Sequence, residues 1–212
     1  MVVATSGTRL KILQILLQKG EASVSQLSTD LDLASATVRR HLNVLLRDHL
    51  VDYHQVRKSL GRPEYAFTLT DEGQEVLPKR YQGLLSAVLS ELDSMSRDDL
   101  KGHDGKELSD LVFLRMAEKM ASSAQDNQPQ DRLSSLLDIL REQDFLPVAK
   151  ATGSGVRIFL HNCPYRSVAQ SQASVCTFDK ALISRVLQVP AERQQCIRNG
   201  DRSCCYYVPL KT

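Results

Sequence analysis

Residues 35–48 read SATVRRHLNVLLRD, and their apolar spacing is that of an amphipathic helix. Ser35 suits the N-cap of a helix over 36–48, because its hydroxyl oxygen can accept a hydrogen bond from a free amide of the first turn. Thr37, Arg39 and Arg40 lie largely off the apolar face, so we expect them to be exposed. The apolar face itself is formed by Val38, Leu42, Val44, Leu45 and Leu46.

Two shorter helical stretches precede this helix. Residues 8–18 read TRLKILQILLQ, which predicts a buried helix, and Gly20 suits its C-terminal end. A second helix opens near 23–27, and a turn at 31–33 separates it from the helix over 36–48. A short helix, a turn and a helix with exposed polar residues near its N-terminus form the helix-turn-helix pattern.

The residues that follow predict a β-hairpin with a basic tip. Residues 50–57 and 65–70 roughly alternate between apolar and polar side chains, and the intervening KSLGRP is rich in turn-forming residues. The basic residues of this tip are Arg57, Lys58 and Arg62. A hairpin directly after a helix-turn-helix is a wing, so we predict a winged helix-turn-helix domain over 1–70.

This pattern predicts binding to double-stranded DNA. Residues 1–70 carry nine Lys/Arg against six Asp/Glu, and the remainder carries 18 against 19, so the basic surplus lies in the N-terminal part. Arginine can pair bidentately with guanine, while hydroxyls and helix N-termini hold phosphates. The candidate residues for the major groove and its phosphates are Ser35, Thr37, Arg39, Arg40 and His41, with Arg57, Lys58 and Arg62 for the wing.

The rest of the chain predicts helices followed by a small α+β region. Helical stretches are expected over 71–92 and 108–121. Residues 77–92 are more apolar than a solvated helix needs, which favours a homodimer interface over packing within one chain. Further helices are expected at 133–140, 167–172 and 178–187, and two strands at 156–160 and 205–210. We therefore expect a mainly α chain with small β elements in three parts: a winged helix-turn-helix at 1–70, dimerisation helices and a linker at 71–127, and a cysteine-containing sensor domain at 128–212.

Several classes of protein are not expected. No segment approaches 18 consecutive apolar residues and the N-terminus lacks a secretory pattern, so we predict a cytoplasmic protein without a membrane span. The sequence offers no Ser/His/Asp arrangement, no phosphate-binding glycine loop and no paired carboxylates that the pattern would place in one pocket. We therefore do not expect an enzyme.

All five cysteines fall in the last 50 residues: Cys163, Cys176, Cys196, Cys204 and Cys205. Clustered cysteines in a reducing cytosol are more often metal ligands or redox thiols than structural disulfides. Their spacing matches neither zinc fingers nor ferredoxins. On a strand, Cys204 and Cys205 would point to opposite faces, so at most one should ligate. Burial as an ordinary apolar residue is the alternative for Cys196, which we place on a helix.

Two resemblances to known regulators follow from these motifs. Residues 35–42, together with Gly61-Arg62-Pro63-Glu64-Tyr65 and residues 69–73, resemble winged-helix repressors of the ArsR/DeoR type. The whole chain resembles the SufR repressors, which are iron–sulfur-sensing regulators of the cluster-assembly operon. The residues that carry this second resemblance are His161-Asn162-Cys163-Pro164-Tyr165, Val175-Cys176, Glu192-Arg193 and Gly200-Asp201-Arg202-Ser203-Cys204.

The resemblance to SufR implies a repressor that binds its operator more tightly when it holds an iron–sulfur cluster, with [4Fe-4S] favoured over [2Fe-2S]. By position, Cys163, Cys176 and Cys204 match the first, second and fourth cysteines of the family pattern, while the third falls near Val189. The alternates for the remaining ligand are Cys205, Cys196, His161 or a carboxylate. The competing interpretation is a winged-helix regulator that senses zinc, thiol oxidation or a small molecule. Residues 192–206 favour the small molecule, since they also resemble the end of vinyl-reductase-type ligand-binding domains.

Overall fold

The computed structural model describes residues 7–56, 64–122, 124, 128 and 131–209. These residues form a mainly helical chain with small antiparallel sheets, as the sequence predicts. The chain divides into two compact units, Met1–Pro78 and Lys79–Thr212. This differs from the expected three parts, because most of the helices placed between the two domains pack within the second unit.

The described part of the first unit contains helices around a core of leucine and isoleucine side chains, with a three-stranded sheet. Strand order in the sheet is β1-β3-β2, and both pairings are antiparallel. The core includes Ile12, Leu16, Leu27, Leu42 and Leu45, each at most 1% exposed. The elements are α1 (Thr8–Lys19), β1 (Glu21–Ser23), α2 (Val24–Leu31), α3 (Ser35–Arg47), β2 (Val51–Val56), β3 (Glu64–Leu69) and α4 (Asp71–Val76).

The helix starts in this unit differ in how they are capped. Ser23 caps α2 through a capping box with Gln26, which satisfies amides at the start of that helix. The prediction that Ser35 caps α3 is wrong: Ser35 is the first helical residue, Ala34 occupies the N-cap, and no capping side chain is found among the described residues. The Ser35 hydroxyl instead lies 3.2 Å from the hydroxyl of Ser28.

The predicted continuous helix over 71–92 is broken in the structure. Leu77 leaves the helical region with ψ 154°, because the residue before a proline is driven toward extended conformations, and Pro78 follows it. The next helix begins at Tyr81. Within α4, a Cβ on Gly73 would stand 2.0 Å from the carbonyl oxygen of Leu50, so only glycine lets this helix pack there.

The second unit is an α+β arrangement. Its sheet has the order β4-β5-β7-β6 with antiparallel neighbours, and α7 packs against α10. Its core includes Leu136, Ile158, Phe178, Leu182 and Tyr206. The elements are α5 (Tyr81–Ser94), α6 (Arg97–Leu100), α7 (Gly105–Ser122), α8 (Arg132–Glu142), β4 (Pro147–Thr152), β5 (Gly155–Leu160), α9 (Arg166–Ser171), α10 (Val175–Leu187), β6 (Glu192–Gln195), a 3₁₀ turn (Ile197–Asn199) and β7 (Cys204–Pro209).

The conformation of Cys196 also corrects the sequence interpretation. This residue follows β6 and is extended, with φ −147° and ψ 125°, so the helix expected there is wrong. β6 reads ERQQ and is exposed along its whole length, which leaves no alternation by which a strand could be foreseen. Among the described residues, no helix combines the length and apolar character that a bilayer crossing requires.

Candidate DNA-binding surface and cysteine cavity

Helix α3 presents polar side chains away from its buried face. Val38, Leu42 and Leu45 are buried, and α3 packs through them on α1 and α2. The candidate major-groove residues lie on the other side of the helix. His41 is half-buried, and the other four are exposed: Ser35, Thr37, Arg39 and Arg40. This burial fits the amphipathic pattern read from residues 35–48.

An open groove of about 720 Å³ lies between α3 and the β2–β3 hairpin. Ser35, Arg39 and Asn43 line it from the helix, so it offers hydroxyl, guanidinium and amide groups, which are those that contact phosphates and base edges. Tyr53 and Tyr65 line it from the hairpin and are half exposed, with their ring centroids 5.2 Å apart in an edge-to-face arrangement.

The groove includes residues that the sequence analysis did not select. Tyr53 pairs with Phe67 and Gln55 with Tyr65 across the hairpin, which places three aromatic rings on one face of the ribbon. The period-2 alternation could have found this face. The wing candidates Arg57, Lys58 and Arg62 lie outside the described residues, so their contacts with DNA stay predictions.

Four cysteines line one cavity in the second unit: Cys163, Cys176, Cys196 and Cys204. They come from the loop after β5, the first turn of α10, the residue after β6 and the first residue of β7. The structure thus brings together the three cysteines matched to the family pattern, and it adds Cys196 from among the alternates. The cavity encloses about 20 Å³ and is also lined by Phe145, Tyr165 and Asp179.

Cys196 and Cys204 are neighbours across the end of the β6–β7 ladder. Gln195 pairs with Cys205, so the next position along the antiparallel register sets Cys196 opposite Cys204. A hydrogen bond from the Cys204 thiol lowers the pKa of Cys196 to about 5, and the same hydrogen bond raises the pKa of Cys204. Burial raises the pKa of Cys163 and Cys176 to about 12.

A buried carboxyl group stands beside these thiols. Asp179 lies one helical turn after Cys176 on α10, and the Tyr206 hydroxyl donates to its Oδ2 at 2.8 Å. Burial raises the pKa of Asp179 to about 6, while the hydrogen bond from Tyr206 opposes that rise. Sequence reasoning missed Asp179; the i, i+3 spacing from Cys176 was the signal available.

The remaining alternates lie away from the cavity. Cys205 pairs with Phe159 in the β5–β7 ladder and is absent from the described residues that line the cavity, whereas its neighbour Cys204 is among them. The His161 ring stacks on the Phe159 ring with centroids 6.2 Å apart, and it is likewise not part of the described lining. Burial lowers the pKa of His161, and the Lys150 charge contributes to the shift.

The Cys163 loop, residues 161–165, is held by the first residues of the second unit. The Arg80 amide donates to the Pro164 carbonyl at 3.0 Å. The Lys79 ammonium donates to Asn162 Oδ1 at 3.1 Å and to the Cys163 carbonyl at 3.3 Å. The chain that leaves Pro78 is therefore hydrogen-bonded to the backbone that carries a cavity cysteine.

The donor set of the cavity suits some metal groups and not others. Across the part of the chain that the structure describes, no group of three or more His, Cys, Asp or Glu side chains is arranged to hold a single metal ion. Four cysteines around one cavity are the donor set of iron–sulfur clusters, so the residues present fit that group chemically. About 20 Å³ is close to the space one water needs, so the lining side chains must move apart to admit a cluster.

The helices, turn and hairpin of the first unit define a winged helix-turn-helix DNA-binding protein. The model of the bacterial regulatory protein, arsR family, matches residues 6–53. The chain is therefore a DNA-binding transcriptional regulator, and its residues 6–53 are similar to the DNA-binding region of the arsR family.

Solved structures of other regulators also show similarity. A transcriptional regulator homologue protein from Pyrococcus horikoshii OT3 is 36% identical, over 40% of this chain and 82% of that chain, with a TM-score of 0.30. Bacillus subtilis PadR in complex with operator DNA is 16% identical, over 85% of this chain and 97% of that chain, with a TM-score of 0.31. These TM-scores are too low to carry an argument about the fold. Among curated proteins, no significant match is found.

Proposed function

We propose that this regulator is a homodimeric repressor of iron–sulfur cluster assembly genes, and that its operator affinity depends on an iron–sulfur cluster held in the cysteine cavity. One observation carries the proposal: Cys163, Cys176, Cys196 and Cys204 converge on a single cavity from four separate elements. Four cysteine thiolates ligate both [2Fe-2S] and [4Fe-4S] centres, and we favour [4Fe-4S] from the resemblance to SufR. Such a group supplies chemistry that responds to iron supply and oxidants.

To bind an iron–sulfur cluster, the protein must present its cysteine ligands as thiolates. Cys196 is poised as a thiolate by its hydrogen bond from Cys204, whereas burial keeps Cys163 and Cys176 protonated. Metal ligation needs thiolates, so binding must displace protons from the buried thiols. Loading is therefore expected to become more favourable as pH rises.

The Cys163 loop offers a path from the cavity to the chain segment that follows the winged helix. Widening the cavity shifts Cys163, and the Arg80 amide and Lys79 ammonium are hydrogen-bonded to that same loop. Any ligand that favours one arrangement of the loop therefore also biases the backbone directly after Pro78. Cluster and DNA would then be thermodynamically linked, each raising the affinity for the other.

The DNA-binding surface supplies the operator contacts. Arg39 lines the groove and suits a base edge, while Ser35, Thr37, Arg40 and His41 suit the flanking phosphates. One recognition helix reads few base pairs, which is why helix-turn-helix proteins pair on two half-sites. A second copy of this chain would supply the second half-site.

Helix α5 carries the surface that suits this second copy. Leu85, Leu89 and Leu92 recur at four and three residues on one side and are 60%, 51% and 47% exposed. An apolar stripe of this kind marks an interaction surface. Sedimentation should therefore find a dimer, and Leu89→Glu should yield monomer, while Ser90→Glu, an exposed change off the stripe, should remain dimeric. Monomeric wild-type protein at micromolar concentration would contradict the assignment.

The experiment that tests the cluster is anaerobic reconstitution with iron and sulfide. Wild type should gain broad visible absorbance near about 400 nm with bound iron and sulfide, and operator DNA selected by the loaded protein should bind more weakly after the cluster is removed. Cys163→Ser and Cys196→Ser should lose the cluster. Cys205→Ser is the matched control, because Cys205 is buried away from the cavity, and it should load like wild type.

Each outcome decides between the competing functions. A colourless, iron-free wild type after reconstitution overturns the cluster and leaves zinc, thiol oxidation or a small molecule as the signal. Loss of the cluster in Cys205→Ser but not in Cys196→Ser overturns the ligand assignment. A loaded protein whose affinity for DNA equals that of the apoprotein overturns the proposed regulation.

A further inference from the structure

The two cysteines at the end of the β6–β7 ladder form a pair with its own geometry. The last pair of the ladder is Gln195 with Cys205, and extending this antiparallel register by one residue puts Cys196 opposite Cys204. Opposed residues of an antiparallel pair have Cα atoms about 4.5–5.5 Å apart. A disulfide needs Cα atoms about 4.4–6.8 Å apart, so two cysteines opposed in this way lie within the range that a disulfide can bridge.

The loop between the two cysteines keeps them opposed. The Asp201 carboxylate accepts from the Cys196 amide at 2.8 Å, and the Asn199 amide donates to the Cys196 carbonyl at 2.8 Å. Gly200, at φ 90°, supplies the left-handed conformation that the tight return requires. The backbone of Cys196 is therefore fixed on both sides by a short loop that ends at β7.

The side chains complete this arrangement. Both sulfurs belong to the same cavity, and the Cys204 thiol donates a hydrogen bond to the Cys196 sulfur. Cys176 also donates to Cys196, but it lies on α10 and has no strand register with it. Two cysteines whose sulfurs adjoin in one cavity, one able to resolve a sulfenic acid formed on the other, are the arrangement found at oxidant-sensing cysteines.

We propose that Cys196 and Cys204 are a redox pair, which a peroxide closes to a disulfide in the cluster-free protein and which a dithiol reductant reopens. The disulfide would withdraw two of the four cavity thiols, so the cavity could not be loaded until it is reduced. This consequence rests on the proposed function, whereas formation of the bond does not.

The chemistry balances with hydrogen peroxide as the oxidant. The Cys196 thiolate attacks one peroxide oxygen, the O–O bond breaks, hydroxide leaves, and a sulfenic acid forms on Cys196. The Cys204 sulfur then attacks the Cys196 sulfur, the S–O bond breaks, and the departing hydroxide takes the Cys204 proton as water. In total, two thiols and one peroxide give one disulfide and two waters.

The test uses the full-length, reduced, metal-free protein. After one equivalent of hydrogen peroxide, free thiols are blocked with an alkylating reagent and the protein is digested with trypsin. Cys196 falls on peptide 194–198, Cys176 on 167–180, and Cys204 on 203–211 together with Cys205. We expect a linked pair 194–198 with 203–211, and a fall from five free thiols to three.

Two variants make the assignment specific. Cys205→Ser should still form the link and lose two thiols, while Cys204→Ser should form no such link. A link between 194–198 and 167–180, a link that disappears in Cys205→Ser, or oxidation without any link would overturn the proposal. Circular dichroism of each variant shows whether it is folded.

The consequence for loading is measured separately. Oxidised wild type should take up no cluster until dithiothreitol is added, and should then load as the reduced protein does. If the reduced protein also fails to load, the proposed function is overturned while the disulfide map stands. If the oxidised protein loads without a reductant, the gating role of the pair is overturned.

Discussion

Replacing Tyr206 with Phe tests how the protein keeps a carboxyl group buried beside its thiols. The variant preserves the ring in the core and removes the hydroxyl that donates to Asp179 at 2.8 Å. A hydrogen bond to a charged group contributes about 1.5–3 kcal/mol, and one between neutral groups about 1 kcal/mol. We expect Tyr206→Phe to lower the free energy of opening of the second unit by about 2 kcal/mol at pH 7.5 and by about 1 kcal/mol at pH 5.

The pH dependence follows from the direction of the Asp179 pKa shift. Its pKa in the folded protein is about 6 against an ordinary 3.8, so the native state binds more protons than the unfolded state between these values. Stability from this group is therefore fully present below about pH 3.8 and is lost as pH rises through about 6. At 1.36 kcal/mol per pH unit, the loss at neutral pH is about 3 kcal/mol. Asp179→Asn should remove this slope.

Amide hydrogen exchange of α10 and β7, read by mass spectrometry, measures opening of this unit directly. Tyr207→Phe is the matched control, because the exposed Tyr207 hydroxyl donates to the Ser154 carbonyl at 2.9 Å and lies 2.9 Å from the Ser154 hydroxyl. This variant should lower the free energy of opening by less than about 1 kcal/mol. Equal effects of Tyr206→Phe and Tyr207→Phe, or an unchanged pH slope in Asp179→Asn, would refute the reasoning.

Three further predictions follow from the described contacts. Gly73→Ala should destabilise the first unit by roughly 3 kcal/mol in thermal unfolding, since its Cβ would meet a carbonyl oxygen at 2.0 Å, while Gly83→Ala, with nothing within 4 Å, should stabilise its helix by about 0.5–1 kcal/mol. Arg39→Ala should weaken operator binding about 5- to 150-fold in a fluorescence titration, and Arg47→Ala, on the same helix but paired with a neighbouring carboxylate, should stay near wild type. Lys79→Ala removes the ammonium that donates to Asn162 and to the Cys163 carbonyl, so it should leave the cluster spectrum unchanged and reduce the effect of cluster loading on operator affinity; an unchanged effect would remove the Cys163 loop as the link.

The DNA-binding unit could largely be predicted from local patterns. Helix α3 is predicted by apolar residues spaced at about 3.6 residues, and the hairpin by alternation at 2 residues. Each pattern arises because one face of the element is buried. The break at Leu77 was predictable from Pro78 but was hidden by the apolar residues that continue on both sides. β1 has three residues, too few for alternation to show.

The cysteine site could be predicted only in part. Strand alternation correctly separates Cys204 from Cys205, because that property belongs to the strand itself. The approach of Cys196 depends on the pairing of β6 with β7, a non-local contact that leaves no periodic trace in ERQQ. The partnership of Asp179 with Tyr206 joins residues 27 positions apart and is likewise a product of tertiary packing.

The position of Lys79 and Arg80 has a consequence for how such regulators can be recombined. By sequence these residues adjoin the DNA-reading unit, but by hydrogen bonding they belong to the cavity-bearing unit, whose Cys163 loop they hold. A chimera joined before Lys79 would transplant the cavity with its own anchor, whereas one joined a few residues later would import the cavity without it. The exchangeable module therefore begins at Lys79, ahead of its first helix, and recombination at that peptide bond would join a new DNA specificity to a cavity that keeps its anchor.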